Sequence, residues 1–393
     1  MLEELLARWI TQQRWFAGKG RPLDSLTVDS DVTLGEGLRH LIISVWQGGS
    51  RDRYQLLLGA RTELPERLAH ALIGLAGDTH VYDAAHDPDL TRVLLEGMAA
   101  GQDANGVRFA HLPGAEIDTS LRSLVLGAEQ SNTSLVYGDA YICKLFRRLI
   151  PGLNPELEIV TALASREAPH IARPYGWIST DLDGTDTTLA IMQEFLSTAN
   201  DGWGLALTSV RDLYGSLPEV CADQAGGDFA AESHRLGAAT ARVHQELAAA
   251  FPTDVAEPAE VRAMAEEFRR RLGRAAAEVP ALRENAQVAE RAFQAVEELP
   301  GAVRVQRIHG DYHLGQVMRT PTDWIVLDFE GEPGQPLAER RALYSPLRDV
   351  AGMLRSFDYA PRHLLADHPD PKPLEPRAAE WATRNKQAFL DGY

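Results

Sequence analysis

The sequence predicts an α+β protein in which strands dominate the first half of the chain and helices the second. Short apolar runs separated by turn residues extend to about residue 196. Beyond residue 198, Ala-rich segments have the apolar spacing of helices. The length of 393 residues is enough for two or three structural units. We therefore predict three regions, with the bounds 1–88, 89–196 and 197–393.

The first region, residues 1–88, is predicted to be a small α+β cap. Residues 2–10 place apolar side chains on one helical face, and a Gly-rich turn follows them. Residues 40–47 and 53–59 have the composition of strands, and the sequence Gly48-Gly49-Ser50 between them is typical of a turn. The cap is therefore expected to contain one helix and a hairpin.

The second region is predicted to be rich in strands. Residues 89–120 combine short apolar runs with glycines. Residues 121–149 alternate three strand-like runs with two turns, and a helical pattern follows at 154–165. Residues 188–196 are predicted to form a strand that runs into a connector.

The third region is predicted to be mostly helical. Residues 227–249 and 257–298 are expected to form long helices, whose polar positions carry acidic residues, Arg and Ala. Residues 305–331 return to turns and strands, and residues 366–376 form a Pro-rich loop. A last helix is expected at 377–391.

Composition and charge exclude several classes of function. The net charge of −17 disfavours general binding of nucleic acids, although a local basic site for a nucleotide is compatible with it. No apolar run reaches the length of about 18 residues that a membrane helix needs. The N-terminus lacks the features of a secretion signal, and Cys143 and Cys221 are predicted to be buried thiols. We therefore expect a cytoplasmic protein with no membrane partner.

The segment IHGDYHLGQV, residues 308–317, together with WIVLDFEGEP, residues 324–333, predicts phosphoryl transfer. Such a reaction needs a carboxylate beside the acceptor hydroxyl and oxygen ligands for Mg²⁺. Asp311 fits the role of the base, and Gln316 follows it after five residues as a candidate metal ligand. Asp328, at the end of an apolar strand, is the second candidate ligand. A further candidate ligand, which could instead orient Asp328, is Glu330.

Simpler interpretations of the same segment remain beside this one. The segment could be an ordinary turn between a helix and a strand. For His309 a structural role is favoured, in which the ring hydrogen-bonds the loop backbone, and His313 is left open. A metal site formed by both histidines and Asp311 is disfavoured because Gly310 and Gly315 indicate a loop. Asp349 is expected to brace this loop.

The strand-rich region is expected to hold the nucleotide. In kinase-type enzymes a turn between two strands covers the phosphates and a strand lysine grips them. Lys144 fits the lysine, with Glu158 as its expected ion-pair partner and Glu156 as the competing candidate. The predicted phosphate turn comprises Gln130, Ser131, Asn132, Thr133 and Ser134. The predicted hinge, whose backbone would bind adenine, runs from Met192 through Gln193, Glu194, Phe195 and Leu196.

Several stretches together resemble the actinobacterial maltokinases, in the aminoglycoside-phosphotransferase-like superfamily. The resemblance extends from about residue 12 to residue 393, and the stretches include QQRWFAGKG, GAEQSNTS, HGDYHLGQV and LDFEGEPGQPLAERR. It implies a bilobal fold like that of eukaryotic protein kinases, with an extra N-terminal cap. It also implies transfer of the γ-phosphoryl group of ATP to maltose, giving maltose 1-phosphate for α-glucan synthesis. A trehalose-to-maltose isomerase is the implied partner.

The resemblance carries four roles onto this chain. It implies Asp311 as the base, Gln316 and Asp328 as Mg²⁺ ligands, and Lys144 as the phosphate-binding lysine. Maltokinases continue beyond the position of Tyr393 with helices that help to close the sugar pocket. We therefore expect this chain to bind ATP and Mg²⁺ but to turn over maltose poorly. The alternatives are a kinase for another sugar, an amino sugar or an aminoglycoside, and a pseudokinase that acts as a binding module.

Overall fold

A computed structural model describes residues 2–127, 131–366 and 368–393. The chain forms two compact units, of which the first comprises Met1–Asp201 and Met318–Phe329, and the second comprises Gly202–Val317 and Glu330–Tyr393. Strands dominate the first unit and helices the second, as the α+β prediction requires. The predicted cap and the strand-rich region therefore lie together in one unit.

The helices and strands of the described residues have the following bounds. The helices are α1 (Leu2–Ile10), α2 (Pro88–Ala100), α3 (Pro155–Ala164), α4 (Gly202–Gly215), α5 (Ala230–Ala250), α6 (Pro258–Glu278), α7 (Ala286–Glu297), α8 (Leu337–Arg340), α9 (Leu347–Ala366) and α10 (Glu375–Gly392). The strands are β1 (Ser25–Gly35), β2 (Leu38–Gln47), β3 (Ser50–Arg61), β4 (Leu72–Ala76), β5 (Thr79–Asp83), β6 (Asp103–Ala104), β7 (Val107–His111), β8 (Ser123–Leu126), β9 (Thr133–Tyr137), β10 (Tyr141–Leu145), β11 (Arg148–Leu149), β12 (Pro174–Leu182), β13 (Thr185–Glu194), β14 (Asn200–Asp201), β15 (Asp254–Ala256), β16 (Val303–Val305), β17 (Val317–Arg319) and β18 (Trp324–Val326).

The first sheet is antiparallel and is built from the N-terminal strands in the order β1-β2-β3-β5-β4. The predicted hairpin is confirmed, because Gln47 at the end of β2 pairs with Ser50 at the start of β3. The apolar face of α1 packs on this sheet through the buried side chains of Leu6 and Ile10. Strand β11, from later in the chain, pairs with β3, so this sheet also receives a strand from the second predicted region.

The second sheet has seven strands in the order β6-β7-β12-β13-β10-β9-β8. Strand β10 is central and pairs with β9 and β13. The sequence prediction missed α2, which covers Pro88–Ala100, although the local signals for a helix are present. The Asp87 side chain accepts the Asp89 N–H, Pro88 occupies the first turn, and Gly101 ends the helix in a left-handed conformation.

The core of the second unit lies between α5, α9 and α10. The rings of Phe357, Trp381 and Phe389 pack there, with ring centroids 5.9 to 6.2 Å apart for the pairs that include Phe357. Helices α5 and α10 approach very closely at Gly237, where a Cβ atom would lie 2.1 Å from the carbonyl oxygen of Phe389. A side chain at Gly237 would therefore force the two helices apart.

Two expectations for the second half of the chain and for its thiols need correction. The helical segment expected at 257–298 is divided, since α6 ends at Glu278 and Pro280 cannot continue a helix. Cys143 is buried, which raises the pKa of its thiol to about 12, but Cys221 is exposed in the segment between α4 and α5. In the part of the chain that the structure describes, no helix is both long and apolar enough to span a membrane.

Candidate active site

Lys144 lies on the central strand β10 of the second sheet. Its neighbours Cys143 and Leu145 point into the core, so the alternation of the strand directs the lysine to the other face. Its Nζ atom lies 2.8 Å from Oδ1 of Asp328 and 3.4 Å from Oε2 of Glu156. The side chains of Lys144 and Glu156 are 17% and 3% exposed, so this pair interacts with little screening by water, whereas Asp328, at 37%, is more open to solvent. The first unit therefore brings together one ammonium group and two carboxylates.

Glu156 owes its position to the start of α3. Asn154 caps the helix by accepting the Glu156 N–H at 2.8 Å, and Pro155 occupies the first turn. Glu156 is buried, whereas Glu158 is only partly buried. Residues two positions apart point in nearly opposite directions on a helix. The expected partner Glu158 is therefore corrected to the competing candidate, Glu156.

Asp328 follows β18 in a left-handed backbone conformation, with φ of 61°. This conformation is uncommon for a residue other than glycine and is often retained at functional sites. The strand before it is anchored by a bridge between Val326 and Ile171. Asp328 supplies carboxylate oxygens, the donors that Mg²⁺ prefers, and so fits a magnesium-bound nucleotide, while Glu156 is the second carboxylate in contact with Lys144.

In the second unit, Asp349 braces the loop that contains Asp311. It is buried in the first turn of α9, and its Oδ2 and Oδ1 atoms accept the backbone N–H groups of His309 at 2.7 Å and Gly310 at 2.9 Å. The ring of His244 adds a third contact, with Nε2 3.1 Å from Oδ2. Burial alone would raise the pKa of Asp349, but the His244 hydrogen bond, the charges of the histidine rings and the Gly310 N–H outweigh it and lower that pKa.

Asp311 itself is partly exposed. Its N–H group donates to Nδ1 of His309 at 3.3 Å, which is the structural role expected for that histidine. The next residue, Tyr312, is buried and its hydroxyl lies 2.7 Å from Oγ1 of Thr240, which anchors the loop in the core. His313 likewise accepts a backbone N–H group through Nδ1, from Gly315 at 3.1 Å. These bonds occupy one nitrogen of each histidine and disfavour a metal site built on both.

Gln316 and Glu330, the other predicted metal ligands, also belong to the second unit. Gln316 ends a short 3-10 helix that begins at Leu314, where the Leu314 N–H donates to Oγ of Ser356 at 3.1 Å. Both side chains are partly exposed. Their roles as ligands remain predictions.

The predicted phosphate turn is shorter than expected. Gln130 lies outside the described residues, while Ser131 and Asn132 precede β9. Thr133 and Ser134 already belong to β9, and both are buried. Thr133 pairs with Leu145 and lies on the core face, where its hydroxyl accepts from Nε of Arg147. Ser134 pairs directly with Lys144, so its side chain lies on the same face of the sheet as the lysine. Ser131, Asn132 and Ser134 therefore remain the predicted phosphate-facing residues of the described part of the turn.

The predicted hinge lies at the end of β13. Gln193 and Glu194 are the last residues of the strand, and Phe195 and Leu196 follow it. The Glu194 N–H donates to the carbonyl of Arg173 at 2.8 Å, and the Phe195 N–H donates to that of Ala140 at 2.9 Å. These two amides are used within the unit, which removes them as donors to adenine.

Two features of the site escaped the sequence analysis. The His244 contact with Asp349 joins residues 105 positions apart, and nothing in the Ala-rich sequence around His244 indicates it. Arg147, beside the strand of Lys144, is 1% exposed and pairs with Asp83 at 2.6 Å. A polar pair of this kind has no sequence signature, because its partners are distant along the chain.

Two regions of the chain match known protein families. Residues 120–386 match the phosphotransferase enzyme family, over more than half of the chain. The chain belongs to this family. Residues 9–87 match the maltokinase N-terminal cap domain. Together the two matches confirm the resemblance to maltokinases within the aminoglycoside-phosphotransferase-like superfamily.

Two relatives of this phosphotransferase are named glucosamine kinases, whereas the resemblance implied maltose as the substrate. The chain is 32% identical over 289 residues to a glucosamine kinase of Streptacidiphilus jiangxiensis, covering 71% of this chain and 63% of the relative. It is 30% identical over 236 residues to a glucosamine kinase of Mycolicibacterium smegmatis, covering 58% and 57%. The chain thus matches less than two thirds of the length of these relatives.

Solved structures support the kinase-like fold with its cap. A glucosamine kinase in complex with glucosamine, ADP and inorganic phosphate aligns with a TM-score of 0.69 at 25% identity. The alignment covers 100% of this chain and 87% of that one. A second crystal form of a glucosamine kinase aligns with a TM-score of 0.72. The predicted fold class is therefore confirmed.

Proposed function

We propose that this phosphotransferase is an ATP-dependent sugar kinase whose acceptor is glucosamine. The observation that carries the kinase activity is the contact of Lys144 with two carboxylates, at 2.8 Å to Asp328 and 3.4 Å to Glu156. A lysine oriented by a helix glutamate, beside an aspartate suited to Mg²⁺, is the arrangement that phosphoryl transfer from ATP requires.

Each residue has one role in the proposed reaction. Lys144 holds the phosphates and Glu156 orients it. Asp328 would hold Mg²⁺, with Gln316 and Glu330 as the further predicted ligands, and a metal bound there would supply positive charge against the phosphates. The oxygen of the acceptor hydroxyl bonds to the γ-phosphorus of ATP, and the bond between that phosphorus and the oxygen that leaves with ADP breaks. Asp311 takes the proton that the hydroxyl loses.

The acceptor is proposed from the relatives. Two of them, at 32% and 30% identity, are named glucosamine kinases. The structural alignment with a glucosamine kinase covers 100% of this chain, so it includes the cap region. A cap is therefore compatible with an amino sugar acceptor and does not by itself select maltose.

Maltose is the second candidate acceptor, favoured by the match of residues 9–87 to the maltokinase cap domain. Maltose 1-phosphate, α-glucan synthesis and the isomerase partner belong to this candidate alone. A binding module without turnover is disfavoured because Asp311 is present in a loop whose His309 and Gly310 N–H groups donate to the buried Asp349.

The test is a spectrophotometric assay of ADP release with glucosamine, maltose, glucose and kanamycin, each corrected for hydrolysis without acceptor. Asp311→Asn provides the blank, because it retains the nucleotide-binding residues. We expect glucosamine to give the highest kcat/KM. A higher value for maltose would establish the second candidate, and Mg²⁺-dependent binding of ATP without turnover of any acceptor would contradict the kinase proposal.

A further inference from the structure

Arg147 is the most completely buried charged side chain near the nucleotide-binding strand, at 1% exposure. It follows β10 by two residues and makes three side-chain contacts. Nη2 donates to Oδ2 of Asp83 at 2.6 Å, and Nε donates to Oγ1 of Thr133 at 2.8 Å. The guanidinium carbon also lies 5.0 Å from the ring centroid of Trp15. The planar guanidinium group therefore contacts three separate segments of the chain, at Asp83, Thr133 and Trp15.

Two of these contacts come from the cap region. Trp15 belongs to the Gly-rich segment after α1, and its side chain is buried. Asp83 is the last residue of β5, and its other oxygen, Oδ1, accepts the Ala85 N–H at 3.1 Å. Asp83 is thus bonded within its own turn through Oδ1 and to the Arg147 guanidinium through Oδ2. The turn of the cap therefore fixes the carboxylate that binds Arg147.

The third contact lies at the start of β9. Thr133 is the first residue of this strand and comes directly after Ser131 and Asn132, the described part of the predicted phosphate turn. It pairs with Leu145, the neighbour of Lys144 on β10. The hydroxyl of Thr133 therefore fixes the point at which the turn joins the strand beside the lysine.

The backbone around Arg147 is tied to the same region of the cap. The carbonyl of Arg147 accepts the Gln55 N–H at 2.9 Å, and the Gln55 amide donates to the carbonyls of Phe146 at 3.0 Å and Leu189 at 2.5 Å. Gln55 is buried. The segment that follows Lys144 is therefore connected to β3 by both main-chain and side-chain bonds.

Stability alone is a weak reason for such a buried pair. Removing two charges from water costs about as much as their attraction returns, so apolar residues of the same volume stabilise a core equally well. What the pair adds is a specific geometry, because a guanidinium fork accepts few arrangements of its partners.

We propose that Arg147 is a positioning residue through which the cap holds the phosphate turn in place for the nucleotide. This inference rests on the proposed function, because it assigns the cap a part in the affinity for ATP. Trp15 and Asp83 hold the guanidinium, and the guanidinium holds the Thr133 hydroxyl. Arg147 acts on the nucleotide only through Thr133 and the turn.

The decisive variant is Thr133→Val, which keeps the shape of the side chain and removes the oxygen that accepts from Arg147. The Arg147–Asp83 pair is left intact. Loss of one charge-assisted hydrogen bond predicts a rise of about 5- to 10-fold in the Kd and KM for Mg·ATP. We expect kcat and the acceptor KM to stay within about twofold. Thr133→Ser, which keeps the hydroxyl, is expected to restore nucleotide affinity.

Tyr82→Phe is the matched control within the cap. The Tyr82 hydroxyl accepts from Nε of Arg61 at 2.8 Å and donates to Oδ2 of the buried Asp87 at 2.7 Å. Its removal disturbs another arginine–aspartate pair of the cap, Arg61 with Asp87, whose side-chain hydrogen bonds lie within residues 61–89. We expect Tyr82→Phe to lower the Tm by about as much as Thr133→Val does, with no change in the Kd for Mg·ATP.

The outcomes separate this inference from the proposed function. Equal changes of nucleotide affinity in Thr133→Val and Tyr82→Phe, or an unchanged affinity in Thr133→Val, would reduce Arg147 to a structural residue and overturn the inference. Failure of the wild-type protein to bind Mg·ATP in calorimetry would overturn the proposed function first, and the inference with it.

Discussion

Two glutamates at the start of α3 illustrate how much one residue's orientation decides. Glu156 is buried with its carboxylate 3.4 Å from Nζ of Lys144, and Glu158 is partly buried one half-turn away. Both are acidic residues in the first turn of the same helix, where negative charge is favoured. The two glutamates differ only in the direction of their side chains, and that direction brings Glu156, not Glu158, to Lys144.

Glu156→Gln is expected to weaken nucleotide binding, because the amide keeps the shape of the side chain but not its charge. Loss of one charged partner of Lys144 predicts a rise of about 5- to 30-fold in the KM for ATP. Glu158→Gln is the matched control and should stay within about twofold of the wild type. Initial rates over a range of ATP concentrations measure both. Equal effects of the two substitutions would restore Glu158 as the partner.

Asp328 combines a functional carboxylate with a left-handed backbone, at φ of 61°. Asp328→Asn should abolish Mg²⁺-dependent binding of ATP while keeping a residue that tolerates this backbone. Asp328→Ala should lose the same binding and in addition about 1 kcal/mol of stability, since alanine adopts the conformation less readily. Calorimetry with Mg²⁺ or EDTA and urea unfolding measure the two effects. Unchanged affinity in Asp328→Asn would transfer the ligand role to Glu330.

At the scale of elements, the loop of Asp311 depends on the first turn of α9. Residues 309–313 form neither helix nor strand, and Asp349 accepts two of their N–H groups, at 2.7 and 2.9 Å. Gly310 permits this conformation, because its φ is 89° and a Cβ atom would lie 3.2 Å from Cα of Gly331. The position of the proposed base is therefore set by a helix that begins after it in the chain.

The lowered pKa of Asp349 makes this brace sensitive to acid. Because the folded-state pKa lies below the ordinary value of 3.8, the ionised carboxylate stabilises the fold above that value. The contribution is lost as the pH falls through the folded-state pKa. Asp349→Asn is expected to lower the free energy of unfolding by about 1–3 kcal/mol at pH 7 and to reduce its dependence on pH in acid.

Urea unfolding at neutral pH and at a series of acidic values measures this effect. Asp223→Asn, which removes an exposed carboxylate, is the control and should leave both quantities close to those of the wild type. If Asp349→Asn retains the full acid dependence of the wild type, the carboxylate is not the group that titrates, and the brace is weaker than its geometry implies.

At the scale of the whole molecule, three of the residues proposed to hold the nucleotide belong to one of the two units. Lys144, Glu156 and Asp328 all belong to the first unit, although Asp328 arrives there from a distant part of the chain. A ligand that binds only the folded form stabilises it in proportion to the logarithm of its concentration. Nucleotide binding should therefore be visible in the unfolding of the protein.

Mg²⁺ with a non-hydrolysable ATP analogue is expected to raise the Tm. At 100 times the Kd the stabilisation amounts to about 2.7 kcal/mol. The same analogue in EDTA should give a much smaller shift, because the proposed site binds the phosphates through the metal. Thermal unfolding of the wild type and of Asp328→Asn measures this difference. Equal shifts with Mg²⁺ and with EDTA would contradict the role of Asp328.

Local sequence patterns were sufficient for much of the fold and for the motif residues. The helix α1 and the hairpin of β2 and β3 follow from apolar spacing and a turn, which are properties of neighbouring residues. Lys144 could be assigned to a strand and Asp328 to the end of one for the same reason. Helix α2 was missed although its caps are local, since Gly97 lies inside it and further glycines follow at positions 101, 106 and 114.

The sequence by itself determined which residues are proposed for phosphoryl transfer and on which kind of element they lie, because both were inferred from spacing along the chain. Only the tertiary structure decided their partners. The contact of Lys144 with Asp328 joins residues 184 positions apart, and that of Arg147 with Asp83 joins residues 64 apart. The choice of Glu156 over Glu158 and the inward direction of Thr133 likewise depend on packing. Such contacts arise when separate elements pack together, and no pattern of neighbouring residues encodes them.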